Sequence, residues 1–133
     1  MVDFQSILAK QPAGVFATQD GSKVETRVFQ HMFVKDGKVY FCTSSEKPVY
    51  SQMQKNPQVS FCVFTPDFNP VLSINGKVVF VEELDLKKSV LESNELVQSI
   101  FKTPDNPVFK VFYINAEEYV SFDFASGKKV EQA

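Results

Sequence analysis

The stretch VYFCTSSEKPVYSQMQKNP, Val39–Pro57, runs from strand to polar turn to helix and decides how the rest of the chain is read. Val39, Tyr40, Phe41 and Cys42 form an apolar run of strand length, which Thr43, Ser44 and Ser45 stop. With Ser45 as N-cap, Glu46 takes the first helical position and Pro48 the third, where a missing N–H has no partner to lose. Lys47 precedes a proline and is biased away from the α region, so the first turn is expected to be irregular. Val49 and Met53 then share one helical face, and Asn56-Pro57 ends the helix. Three hydroxyls, unpaired backbone N–H groups and a lysine at a helix start are the chemistry of an anion site, most naturally for a phosphate. The same residues also describe an ordinary capped helix beside a solvated lysine, and on this stretch alone that simpler reading is the better one.

Working outward, the chain of 133 residues is long enough for one real core and too short for two. Fourteen phenylalanines, four tyrosines and many valines lean it towards β structure. A net charge of −2 gives no general pull towards nucleic acid or anionic membranes, so neither is expected as a partner. No basic leader or run of transmembrane length is present, which reads as a soluble cytoplasmic protein. Cys42 and Cys62, both in expected strands, lack metal-ligand spacing and read as buried, reduced thiols.

Asp3 is expected to cap a short helix with Phe4, Ile7 and Leu8 on its apolar face, closed by Pro12-Ala13-Gly14. A strand over Val15–Thr18 and a turn at Asp20-Gly21 follow. From Val24 to Val34 one continuous strand is expected, with Glu25, Arg27, Phe29, His31 and Phe33 on one side. Arg27, Phe29 and His31 projecting together fit a surface that meets a ligand or another subunit, and fit an ordinary solvent face with one stray phenylalanine equally well. Lys35-Asp36-Gly37-Lys38 is a hairpin signal leading into Val39–Cys42.

Beyond the opening stretch, Gln58–Phe64 reads as a nearly continuous apolar strand and Val71–Glu82 as a longer one. Asn75-Gly76 either turns the latter as a hairpin or marks a bulge; the bulge is preferred, since four residues are few for an independent strand. Asp85 is expected to cap a helical region that breaks near Asn94 into two short helices. Val108–Ile114 and Tyr119–Phe124 read as the last strands, and Ser126–Ala133 as a frayed polar tail. The order implies an α+β, mainly β domain around a closed or nearly closed antiparallel barrel with helices outside.

Catalytic equipment is sparse. One histidine rules out H-x-x-x-H, no C-x-x-C is present, and no metal site is expected. There is no Gly-x-Ser-x-Gly elbow, G-x-G-x-x-G or Walker loop. Glu82-Glu83 and Glu117-Glu118 are adjacent pairs that point apart on strands. An enzyme of this sequence would rely on a bound cofactor, and no catalytic side chain is assigned.

The ordered pieces G-V-F-A-T, E-T-R-V-F-Q, G-K-V-Y-F-C-T-S-S-E-K, K-N-P-Q-V-S-F and I-N-G-K-V resemble the pyridoxamine 5′-phosphate oxidase-like FMN-binding split-barrel proteins. They are most similar to the short bacterial branch that includes the nitroimidazole-resistance-type proteins, and the ending F-x-V-F-Y-I-N-A…Y-x-S-F-D-F also fits. The resemblance implies a single domain over residues 1–133: a six-stranded antiparallel split β-barrel with peripheral helices. It also implies a homodimer holding FMN in clefts between subunits. Carried over by position, Arg27 would contact the phosphate, with Val28, Phe29 and Gln30 along the ribityl chain and flavin ring. Cys42 and Thr43 would meet ribityl or phosphate oxygens, and Ser45 and Lys47 would be phosphate ligands. The implied activity is that of an oxidoreductase acting on an unidentified small molecule, with NAD(P)H as a transient donor.

Three departures limit this. Glu46 stands where the oxidase proper usually has a second basic residue, Val71 replaces a flavin-contacting glutamine, and the C-terminal tryptophan and arginine-leucine segment is absent. Pyridoxamine phosphate oxidase activity is therefore not expected. The alternative from another class is a non-catalytic module binding flavin, haem or a deazaflavin, with His31 the first candidate axial ligand for haem.

Overall fold

The computed structural model describes residues 3–133. Its elements are α1 (Phe4–Lys10), β1 (Ala13–Asp20), β2 (Lys23–Gln30), β3 (Phe33–Lys35), β4 (Lys38–Ser44) and α2 (Pro48–Lys55). They continue with β5 (Gln58–Phe64), β6 (Val71–Val81), α3 (Leu84–Glu92), α4 (Glu95–Phe101), β7 (Phe109–Asp123) and β8 (Gly127–Gln132). All strands are antiparallel in the order β2-β1-β5-β6-β7-β4-β3, with β8 paired to β7 off that path. Among the described residues eight strands are present where six are expected; the difference is the three-residue β3 and the off-path β8.

The expected strand Val24–Val34 is two strands. The His31 N–H still bonds Pro12 O on the β1 side at 2.9 Å, whereas the next N–H, of Met32, bonds Tyr40 O on the β4 side at 2.7 Å. The chain thus turns a barrel corner within two residues, and period-2 alternation carries no mark of it. Conversely, the two expected last strands are one. β7 pairs with β6 from Val111 to Phe122 and absorbs Glu117 as a bulge opposite Gly76, since Asn75 faces Glu118 and Gly76 faces Ala116. The bulge preferred at Asn75-Gly76 is therefore present, and a Cβ on Gly76 would collide with the carbonyl oxygen of Asn115. The tail is not frayed: Gly127 at φ +72° turns it back, and β8 pairs with Glu118–Asp123.

Caps and turns follow the chemistry unevenly. Asp3 accepts from Ser6 N at 3.2 Å and from Ser6 Oγ at 2.7 Å, capping α1 and holding its own carboxyl below the ordinary value. Asp36 and Gly37, at φ 53° and 74°, make the two-residue hairpin turn. Asn94 caps α4 and divides the helical region as expected. Two caps fall elsewhere. α3 starts after Glu83 without a side-chain cap, leaving Asp85 in its first turn, and α2 starts at Pro48 rather than Glu46. The reason is Lys47, which the following proline holds extended at φ −86°, ψ 143°.

The barrel interior is built on phenylalanine. Phe16, Phe41, Phe61 and Phe112 are fully buried, the rings of Phe16 and Phe41 each meeting the other three, with Phe29 of β2 packed on Phe16, Phe41 and Phe112. A second core seals α3 and α4 against β4 and β7 through Val90, Leu91, Phe101, Phe109 and Val111. Among the described residues no helix is long and apolar enough to cross a membrane.

Candidate functional site

β2 is a sheet edge whose two faces have separate tasks. Glu25, Arg27 and Phe29 turn inward and are part-buried, while Val24, Thr26, Val28 and Gln30 are exposed, Val28 at 70%. Arg27 and Phe29 therefore do share a face, but it is the barrel's own. Beside this edge end β4 and its turn, and between them lie two adjoining clefts that share Val28, Phe29 and Lys47. One, of about 400 Å³, lies among Glu25, Arg27, Lys47, Pro48 and Val49. The other, of about 290 Å³, has Gln30 and Met32 on one wall, Cys42, Thr43 and Ser44 on the second, and α4 as the third.

Arg27 is held from inside. Its Nη1 donates to Thr18 Oγ1 at 2.7 Å and Phe16 O at 3.2 Å, and its Nη2 to Gln52 Oε1 at 3.0 Å. Gln52 also accepts from Thr18 Oγ1 at 2.7 Å and donates to Glu25 Oε2 at 2.8 Å. Burial lowers the Arg27 guanidinium below its ordinary value and Glu25 opposes this; it remains a cation. Lys47 differs, since its ammonium has no hydrogen-bond or ion-pair partner among the described residues.

Thr43 supplies the second sign of a ligand. The residue is buried, and its Oγ1 has no hydrogen-bond partner among the described residues. A buried hydroxyl left unpaired costs free energy, and in a cleft wall the cost is met when a ligand completes it. Cys42 is a different kind of wall. Burial pushes its thiol up to about 11 against the pull of Lys47, and its Sγ lies 3.9 Å from Met32 Sδ. It is a neutral packing surface at physiological pH rather than a nucleophile. Among the described residues, Cys42 and Lys47 are the only titratable side chains lining the α4 cleft.

All eight residues expected at the site except Ser45 line one or both clefts. Ser45 is tied back through its N–H to Val108 O at 2.9 Å, and the lining residue is Ser44, whose Oγ accepts from Glu46 N at 3.1 Å. Ser45 is no helix cap, because the helix begins three residues later. Glu46 is exposed and lines neither cleft, so the acid feared beside a phosphate turns outward. His31 lies outside both, with Nε2 3.0 Å from Leu8 O and Nδ1 buried without a partner among the described residues.

Sequence reasoning missed α4. Leu96 and Ile100 line the cleft at 67% and 59% exposure, while Val97 and Phe101 reach both cleft and core. The signal was available: four apolar residues in a helix of seven exceed what one buried face needs. Elsewhere a third hollow, of about 370 Å³, opens over β1, β5 and β6, but its Ser60, Asn75 and Glu118 are hydrogen-bonded to one another.

Fold and site together define a split barrel with a cleft at its open edge, cationic at one end and walled by apolar side chains at the other. The chain belongs to the pyridoxamine 5′-phosphate oxidase family, whose sequence model matches residues 3–122. Among solved structures it is similar to a NimC/NimA family protein from Clostridium acetobutylicum, at 21% identity and TM-score 0.84, covering 96% of this chain and 91% of that one. General Stress Protein 26 from Bacillus anthracis is similar at 18% identity and TM-score 0.81, covering 96% and 94%. A heme binding protein from Mycobacterium smegmatis is similar at 13% identity and TM-score 0.79, covering 96% of this chain and 55% of that one. Such identities speak for the fold. No curated protein matches in sequence.

Proposed function

We propose that the chain is an FMN-binding flavoprotein that acts as a cytoplasmic homodimer and serves as an oxidoreductase for a small molecule. The observation that carries this is the Thr43 hydroxyl, unpartnered among the described residues, in one of two adjoining edge clefts that share Lys47, with Arg27 in the other, in a chain of the pyridoxamine 5′-phosphate oxidase family. Lys47 and Arg27 offer a phosphate an ammonium and a guanidinium edge. Thr43 and Ser44 offer hydroxyls, and Val28, Met32, Leu96 and Ile100 offer apolar cover for a flat ring. FMN, when bound, supplies the electron-transfer chemistry that these side chains lack. A transient NAD(P)H donor would approach from the open side.

A second copy is supported by the outer face of the sheet. Registered pairs place Val28, Val15, Cys62, Ser73, Val120 and Val130 in one row across it, small or apolar throughout. Val28 and Val130, at the ends, are 70% and 50% exposed, with Phe64 and Phe122 beside the row at 39% each. Val28 also borders both clefts, so a copy docked on this face would wall them as well.

A haem-binding reading through His31 finds less support. Nε2 can only donate to the Leu8 carbonyl, and Nδ1 is buried, so neither nitrogen is offered to an iron atom without moving the ring. The test is titration of FMN into the purified protein. Quenching of flavin fluorescence at micromolar protein is expected, and NAD(P)H should then bleach the bound flavin. Absence of quenching would overturn the reading, and uptake without bleaching would reduce it to a flavin-binding module.

A further inference from the structure

We propose that Glu25 is a built-in competitor for the ligand's phosphate, setting how strongly the cleft prefers phosphorylated over unphosphorylated flavin. The inference rests on the flavin reading above and concerns a residue which that reading does not use. Its basis is the way the Glu25 carboxylate is placed. Glu25 lines the same cleft as Arg27 and Lys47, so the phosphate end holds two cations and one fixed anion. The carboxylate is not spent on Arg27. Its Oε2 stands 3.8 Å from Arg27 Nη2, too far for a hydrogen bond, and is secured by Gln52 Nε2 at 2.8 Å.

Gln52 is buried and is itself fixed by Thr18 and Arg27, so Glu25 cannot drift away cheaply. Arg27 meanwhile directs Nη1 to Phe16 O, Thr18 Oγ1 and Glu25 O, and with no hydrogen bond on Nε among the described residues, Nε and part of Nη2 remain as the edge for a planar anion. Glu25 therefore acts on Arg27 through space, and its carboxylate takes up none of the guanidinium's hydrogen bonds. An incoming phosphate gains the edge but meets the carboxylate, whose side chain is 44% exposed and only partly screened. Such a site holds a phosphate ester less tightly than its cations alone would, and an uncharged ribityl alcohol is indifferent to the difference.

Glu25→Gln keeps the acceptor for Gln52 and removes the charge. Affinities for FMN and riboflavin, measured by fluorescence quenching at low salt, should then diverge. FMN is expected to tighten about tenfold, the scale of one unit charge removed from beside a phosphate at a partly solvated site, and riboflavin to change less than about twofold. Glu25→Ala, which deletes the same charge without an acceptor, must move the FMN-to-riboflavin ratio in the same direction. FMN affinity that is unchanged or weaker in both variants, or riboflavin tightening in parallel, overturns the inference alone. A wild-type protein that takes up neither flavin overturns the flavin reading and this inference with it.

Discussion

Replacing Lys47 and Arg27 by alanine, singly, separates a ligand contact from a structural one, because the two cations differ in what they already hold. Lys47 is exposed and its side chain makes no bond that folding would lose, so Lys47→Ala should leave the urea midpoint unchanged. Its loss removes one charge-assisted contact, worth about 1.5–3 kcal/mol, so FMN should bind about 10- to 150-fold more weakly. Riboflavin, lacking the phosphate, should be affected about twofold at most. Arg27→Ala has a second consequence. It strips a donor from the Phe16 carbonyl and from Thr18, which is 1% exposed, and so should cost about 1–3 kcal/mol of folding stability as well as FMN affinity. Fluorescence titration with both flavins and urea denaturation of the apoprotein measure the two quantities independently. Unaltered FMN affinity in Lys47→Ala, or equal losses for FMN and riboflavin, would show that the phosphate end lies elsewhere.

Cys42 gives a pH-dependent prediction. Its folded thiol is raised from an ordinary value of 9.0 to about 11, so its contribution to stability is intact below pH 9 and is lost as pH rises from there towards 11. In a Cys62→Ser protein at pH 8, iodoacetamide should alkylate Cys42 about 100-fold more slowly when native than in urea, and equal rates would contradict the burial argument. The outer face gives another. Val120 lies in mid-row between Ser73 and Val130, and Val120→Lys should convert a sedimenting dimer to monomer. A wild type that sediments as a monomer would remove the interface.

Where the chain's local chemistry and its tertiary partners agree, the sequence is a good guide; where a partner decides, it is silent. Asp36-Gly37 can hardly avoid a tight hairpin, Asn94 announces a helix start, and Gly76 marks the one place where β7 comes too close for a Cβ. The corner at His31-Met32 has no such residue. It exists because one N–H finds Pro12 and the next finds Tyr40, and those partners are distant in sequence. The Asn115–Glu118 segment looks like a loop for the converse reason: its polar residues are tolerated because a bulge places Glu117 outside the ladder. Likewise the tail Gly127–Gln132 has little apolar content and is a strand only because half of β7 is there to pair with it.

At the site, residue types were legible and their obligations were not. Arg27 and Lys47 look alike as cations in the sequence, yet among the described residues one is bound to four protein acceptors and the other to none. Ser44 and Ser45 look interchangeable until Lys47 is forced extended before Pro48, which moves the helix start and leaves Ser44 at the cleft. The acids change places in the same way. Glu46 is nearest to the lysine in sequence and turns to solvent, whereas Glu25, two residues from Arg27 on the same strand face, is locked into the cleft by Gln52 of α2. Adjacency along a chain measures opportunity; the buried amide that fixes a carboxylate determines whether its charge is felt. The electrostatics of this cleft are therefore governed by a triad drawn from three elements, Thr18 of β1, Gln52 of α2 and Glu25 of β2. Thr18 and Gln52 hold the cation that the sequence displays openly, and Gln52 fixes the anion beside it.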